Sequence, residues 1–71
     1  MVNSTMLKSK IKDANLTVVN LAKQLGLSRE GLYRKLRNRN EFKASEIQKI
    51  SVILSLSNTE KTDIFFATNV D

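Results

Sequence analysis

The sequence predicts an all-α fold, a compact domain of five short helices. Three observations carry this reading. Apolar residues recur at three- and four-residue spacing, and no stretch alternates apolar with polar residues as a half-buried strand would. Residues that open helices (Ser, Thr) and residues that close them (Asn, Gly) punctuate the chain between the apolar runs. No repeat, low-complexity tract or linker divides the 71 residues, so residues 1–71 read as one domain with its core over about 4–66.

The first helix is expected over Ser4 to Asn15. Leu7, Ile11 and Ala14 line one face, while Lys8, Lys10 and Lys12 mostly face water. Asn15 tolerates the left-handed conformation that closes a helix. Thr17 caps the second helix, which runs about Val18 to Leu25 with Leu21, Ala22 and Leu25 inward. Leu16 and Leu21 have the spacing of a hydrophobic staple.

Gly26 can take a positive φ without steric cost. Leu27 fills the angle between two helices, and Ser28 caps the third by accepting a backbone N–H. That helix runs about Arg29 to Arg37, with Leu32 and Leu36 inward. Gly31 inside it costs roughly 1 kcal/mol relative to Ala, which points to something packed or docked close to the backbone there. Asn38 closes the helix as a second left-handed residue.

Asn40 to Lys43 form a connection from which Phe42 tucks into the core. The fourth helix is expected over about Ser45 to Ser55, with Ser45 and Gln48 at capping-box spacing. Ile47, Ile50 and Leu54 make its inner stripe, and Val52, Ile53 and Leu56 add apolar area. Ser57 and Glu60 repeat the capping-box spacing before a last helix, Asn58 to Phe66, which carries Ile64, Phe65 and Phe66. Ala67 to Asp71 are expected to fray. So small a core implies a small stability, or one helped by a partner.

From Thr17 to Arg39 the two helices and their tight turn have the form of a helix-turn-helix. Charge is concentrated there. The net charge is +5, divided as +3 over residues 1–27, +4 over 28–43 and −2 over 44–71. The middle segment holds Arg29, Arg34, Lys35, Arg37, Arg39 and Lys43 against Glu30 and Glu41. A basic cluster on the second half of the motif points to a polyanion, nucleic acid first.

Other classes are disfavoured. The chain has no His and no Cys, and no Gly-rich phosphate loop. Its carboxylates are few and dispersed, so no acid–base pair can be assembled. No catalytic, cofactor-binding or metal-ligating residue is assigned, and no small-molecule ligand or enzymatic activity is expected. No apolar run approaches the roughly 20 residues that span a membrane. No continuous apolar segment follows Met1-Val2-Asn3-Ser4, so no signal peptide is expected. A cytoplasmic location is the corresponding expectation.

The run Leu21-Ala22-Lys23-Gln24-Leu25-Gly26-Leu27-Ser28-Arg29, followed by Leu32-Tyr33-Arg34-Lys35-Leu36, resembles the small phage-type Cro/cI-like helix-turn-helix family. Phe42, Ala44-Ser45-Glu46-Ile47, Leu54-Ser55-Leu56-Ser57 and Ile64-Phe65-Phe66 extend the likeness over nearly the whole chain. More narrowly it is similar to the short Cro-like lytic-switch and modulator-of-repression proteins of phages and prophages of Gram-positive bacteria. The resemblance implies a five-helix domain, operator DNA as ligand and transcriptional regulation in a bacterial host. Four positions depart from the pattern. Val18 stands where Gln is frequent, Asn38 where Gly is usual, Lys43 where a Thr cap is usual, and Glu30 where Gln or Ser is common. With Lys43 at the usual cap position, capping is expected to shift to Ser45.

In this motif the recognition helix, here about 28–37, lies in the major groove with its N-terminal residues on base edges. Ser28, Arg29, Tyr33 and Arg34 are the expected base contacts. Arg29 and Arg34 suit bidentate contacts to guanine. Tyr33 either meets a sugar or a thymine methyl, or is a half-buried packing residue. Glu30 either accepts from a cytosine amino group, or serves the helix dipole and an ion pair with Arg34 at i+4. Asn20, Lys23, Arg37, Arg39 and Lys43 are expected on phosphates, which set orientation rather than sequence. Lys35 is expected to be solvated.

Two functions follow. The first is a regulator that binds a pseudo-palindromic operator as a homodimer or beside a partner repressor, with half-sites roughly 34 Å apart. The second is an antirepressor or co-repressor that grips a phage cI-type repressor through the same helices, with weak or no DNA binding of its own. Its contact residues would be Val18, Val19, Glu30, Tyr33, Phe65 and Phe66. Adjacent valines, like adjacent phenylalanines, cannot both face the core from one helix, so one of each pair is left outside.

Overall fold

The computed structural model describes residues 1–67 and is all-helical over them. The helices are α1 (Ser4–Asp13), α2 (Val18–Leu25), α3 (Arg29–Leu36), α4 (Ala44–Ile53) and α5 (Asn58–Phe65). The five-helix all-α architecture is therefore as the sequence predicts. Thr68 to Asp71, most of the segment expected to fray, lie outside the described residues.

Local chemistry sets nearly every helix start. Asn3 Oδ1 accepts from the Met6 N–H at 3.1 Å and caps α1. Thr17 and Asn20 bond reciprocally at the start of α2. The Asn20 N–H donates to Thr17 Oγ1 at 3.1 Å, and the Thr17 N–H donates to Asn20 Oδ1 at 3.2 Å. Asn20 thus fills the role that Glu or Gln usually takes in a capping box. Ser57 and Glu60 do the same for α5.

Helix ends follow one pattern. Asn15, Gly26, Asn38 and Ser55 all have positive φ, between 53° and 70°. In each case the next residue's N–H closes back on a carbonyl five residues earlier: Leu16 on Ile11, Leu27 on Ala22, Arg39 on Arg34, and Leu56 on Ser51. These bonds satisfy carbonyls that the last turn leaves without partners. Only one of the four stops is glycine, and Asn is the next residue type that tolerates this conformation.

The core draws on all five helices: Leu7 and Ile11, Leu21, Ala22 and Leu25, Leu32 and Leu36, Ile50 and Leu54, Ile64 and Phe65. Leu16, one residue before the Thr17 cap, packs against this cluster as the staple spacing predicts, and so does Leu27, in the angle between the helices. α2 lies centrally and contacts α1, α3 and α4, while α5 closes the far side against α1 and α4. Phe42 is half-buried and meets the Phe65 ring edge-on at 5.3 Å.

Four expectations are corrected. Ala14 is exposed, because α1 ends at Asp13 and Ala14 already lies in the turn. Val52 is 69% exposed, on the outer side of α4 opposite Ile50 and Leu54. Ser45 does not cap α4. That helix starts at Ala44, and Glu46 Oε1 accepts the Lys43 N–H at 2.8 Å. Lys43 has no side-chain acceptor, so only the glutamate half of a capping box exists there. Lastly, Lys35 is buried rather than solvated.

Candidate nucleic-acid interface

α2, the turn at Gly26 and α3 form the unit that the sequence singled out. Gly26 has φ +70°, a conformation that lets the chain leave α2 and enter α3 after only Leu27 and Ser28. Ser28 Oγ accepts from the Gly31 N–H at 2.9 Å. A Cβ on residue 31 would come within 3.1 Å of that oxygen. The close neighbour that explains Gly31 is therefore the cap itself. The Ser28 hydroxyl proton remains able to donate outward.

The inner face of α3 is Leu32, Lys35 and Leu36, all buried. Its outer face carries Arg29, Glu30 and Arg34, all exposed, with the half-buried Tyr33 between them and Arg37 at the C-terminal cap. The Arg29 and Arg37 guanidinium carbons lie 5.7 and 5.4 Å from the Tyr33 ring centroid. Tyr33 also packs against the core cluster, as the half-buried packing residue that was one of its two expected roles. Glu30 sits in the first turn of α3, where the helix dipole favours a carboxylate. The expected Glu30–Arg34 ion pair is absent among the described residues, whose ion pairs are Lys10–Glu60 and Lys35–Glu46.

The basic surface extends beyond α3. Arg39 and Lys43 are exposed on the following connection, and Lys23 is exposed in the last turn of α2. Asn20 is exposed at the start of α2, with its Oδ1 committed to Thr17 and its amide protons left to donate. Arg29, Arg34, Arg37, Arg39, Lys23 and Lys43 thus have no carboxylate in salt-bridge reach among the described residues. Chemically, α3 and the segments next to it in the chain present exposed guanidinium and ammonium donors outside the two ion pairs.

α3 packs as a helix on α2, and polar tethers hold its other side. Lys35 Nζ donates to Glu46 Oε1 at 2.8 Å and to the Glu41 carbonyl at 3.1 Å. The Ser4 hydroxyl donates to the Leu36 carbonyl. The Val2 N–H donates to Asn38 Oδ1 at 2.7 Å, and Asn38 Nδ2 returns a bond to the Val2 carbonyl at 3.3 Å. None of these tethers was anticipated. Their partners lie 6 to 36 residues apart in the chain, on different elements in every case, where the pattern of one helix does not reach. One signal did exist, since Lys35 shares the inward spacing of Leu32 and Leu36.

The other candidate contact residues separate. Val18 is half-buried against the core, and Val19 is 39% exposed. Phe65 is buried and Phe66 is 59% exposed. Phe66 lines an open cleft with Met1, Val2, Phe42 and Ile47. No three His, Cys, Asp or Glu side chains converge into a metal-binding group among the described residues. No helix there is long and apolar enough to cross a membrane.

Fold and surface together define a small five-helix domain whose helix-turn-helix unit presents a basic outer face. The chain belongs to the DUF739 family, described as a protein of unknown function, whose model matches residues 3–68. No curated protein matches it.

Proposed function

We propose that the chain is a DNA-binding transcriptional regulator of the phage-switch type, with α3 entering the major groove. One observation carries this reading. The outer face of the second helix of a helix-turn-helix is basic and unpaired, and the same charge continues along the connection that follows. Arg29 and Arg34 are then the base-reading side chains, with Ser28 beside them. Asn20, Lys23, Arg37, Arg39 and Lys43 hold phosphates. A module of this size makes few base contacts, so it acts as a dimer or with a partner repressor.

A second reading, an antirepressor that docks on a cI-type repressor, draws on a different observation. A tyrosine flanked by two arginines is the residue chemistry that dominates protein interfaces, and Val19 adds an exposed apolar side chain on α2.

Titration against the intergenic DNA beside its own gene separates the two readings. It is run at low and physiological salt, with and without the repressor encoded next door. Specific binding by the protein alone, lost in Arg29→Ala or Arg34→Ala, supports the regulator. Its affinity should fall with salt at a slope of about −0.9 per neutralised phosphate. Absence of specific binding, with altered binding by the repressor when this protein is added, would replace it with the antirepressor reading.

A further inference from the structure

Arg29, Tyr33 and Arg37 stand at i, i+4 and i+8, so successive members lie about one turn apart on the outer face of α3. Both guanidinium groups lie within about 6 Å of the one ring centroid, the range in which a cation is drawn to an aromatic face. No carboxylate competes for either arginine among the described residues. The ring itself is half-buried and seated against the core cluster. Arg34, exposed on the same helix, has no such ring contact.

We infer that Tyr33 is a positioning residue, whose ring sets Arg29 and Arg37 in place before DNA arrives. The inference rests on the DNA-binding reading and deepens it. A long arginine side chain loses rotamer freedom when it engages a base or a phosphate, and ordering it beforehand reduces that loss. One ring spanning two turns couples a base-reading arginine to a phosphate-holding one, so register and sequence reading are set together. The phenol hydroxyl plays no part in this role; the aromatic face does.

The test compares Tyr33→Phe and Tyr33→Leu with the unsubstituted protein. The probes are a duplex of the intergenic DNA beside the protein's own gene and a scrambled duplex of equal composition. Tyr33→Phe should bind the intergenic duplex within about twofold of the unsubstituted protein. Tyr33→Leu should weaken that binding about tenfold, change scrambled binding far less, and leave the salt slope unchanged because both charges remain. In an Arg29→Ala, Arg37→Ala background Tyr33→Leu should cost nothing further. Full binding by Tyr33→Leu, or equal losses in the Phe and Leu variants, would overturn the role. A separate readout needs neither DNA nor a folded Leu variant. The Arg29 and Arg37 Hδ protons of the free protein should be shifted upfield by the ring, unlike those of Arg34, and unshifted resonances would overturn the stack. If the unsubstituted protein binds both duplexes alike, the DNA reading fails and takes this role with it. If it discriminates and Tyr33→Leu discriminates to the same degree, only the role of Tyr33 fails.

Discussion

Lys35 and Glu46 meet at 2.8 Å between α3 and α4, each with 10% of its side chain exposed. The same glutamate oxygen accepts the Lys43 N–H that opens α4. One carboxylate therefore caps one helix and anchors the basic helix beside it. Replacing either partner alone leaves a charge in a nearly water-free place, which costs about 3 kcal/mol. Lys35→Met and Glu46→Leu should each lower stability by about that amount in urea denaturation. The double variant should recover most of it and retain only the lost cap, about 1 kcal/mol. Simple additivity of the two losses would show that the residues do not act as a pair.

Acid should expose the same pair. Burial alone would push the Glu46 carboxyl up, but the Lys35 hydrogen bond, the Lys43 N–H and the nearby ammonium charges outweigh it and hold it below its ordinary value of 4.5. Glu60 is likewise lowered, chiefly by its bond from Lys10 and then by the Ser57 N–H. A group lowered by folding stabilises the protein above its unfolded value and ceases to do so as pH falls through its folded one. The urea midpoint should therefore hold steady above about pH 4.5 as far as these groups are concerned, and drop below it. In Glu46→Gln the acid drop should be shallower. Lys10, raised mainly by its bond to Glu60, contributes at the other end. Its share is present below 10.5 and is lost as pH climbs through the raised value.

Ser28 and Gly31 should behave as a coupled pair. Ser28→Ala removes the α3 cap and should cost about 1 kcal/mol. Gly31→Ala gains about 1 kcal/mol of helix propensity, but its new methyl crowds Ser28 Oγ at 3.1 Å. It should be nearly neutral alone and stabilising by about 1 kcal/mol in the Ser28→Ala background. Thermal melts of the four proteins close the cycle, and equal effects of Gly31→Ala in both backgrounds would refute the coupling.

The adjacent phenylalanines should diverge. Phe65 is 5% exposed and stacks edge-on with Phe42, so Phe65→Ala should cost about 3–4 kcal/mol. Phe66 is 59% exposed, and Phe66→Ala should stay within about 0.5 kcal/mol. Denaturant midpoints decide this. A large loss in Phe66→Ala would mean that its ring stabilises the domain in a way its exposure does not suggest.

Much of this was legible in the chain because the signals are local. Thr17, Ser28 and Ser57 each stand beside the helix whose amide they satisfy, and Asn15, Gly26 and Asn38 announce left-handed stops by residue type. The outer face of α3 was legible too, since its arginines fall between the inward leucines. Ser55 gave no comparable signal as a stop, because serine carries no strong preference for that conformation. Lys35 was misread because lysine is usually solvated. Its spacing pointed inward, but the glutamate that makes burial tolerable lies on another helix. Val52 and Ala14 were misread because apolar character alone does not assign a face, and a shift of helix end by two residues moves Ala14 out of the stripe.

The core is completed by Ile64 and Phe65, which sit with Leu7 and Ile11 from the opposite end of the chain, and the Asn3 N–H bonds the Ile64 carbonyl at 2.7 Å. Synthesis therefore cannot lock the domain progressively from its start. The face of α1 that carries Leu7 and Ile11 stays partly uncovered until α5 has been made. The surface that α3 presents therefore rests on a core that the last of the five helices closes.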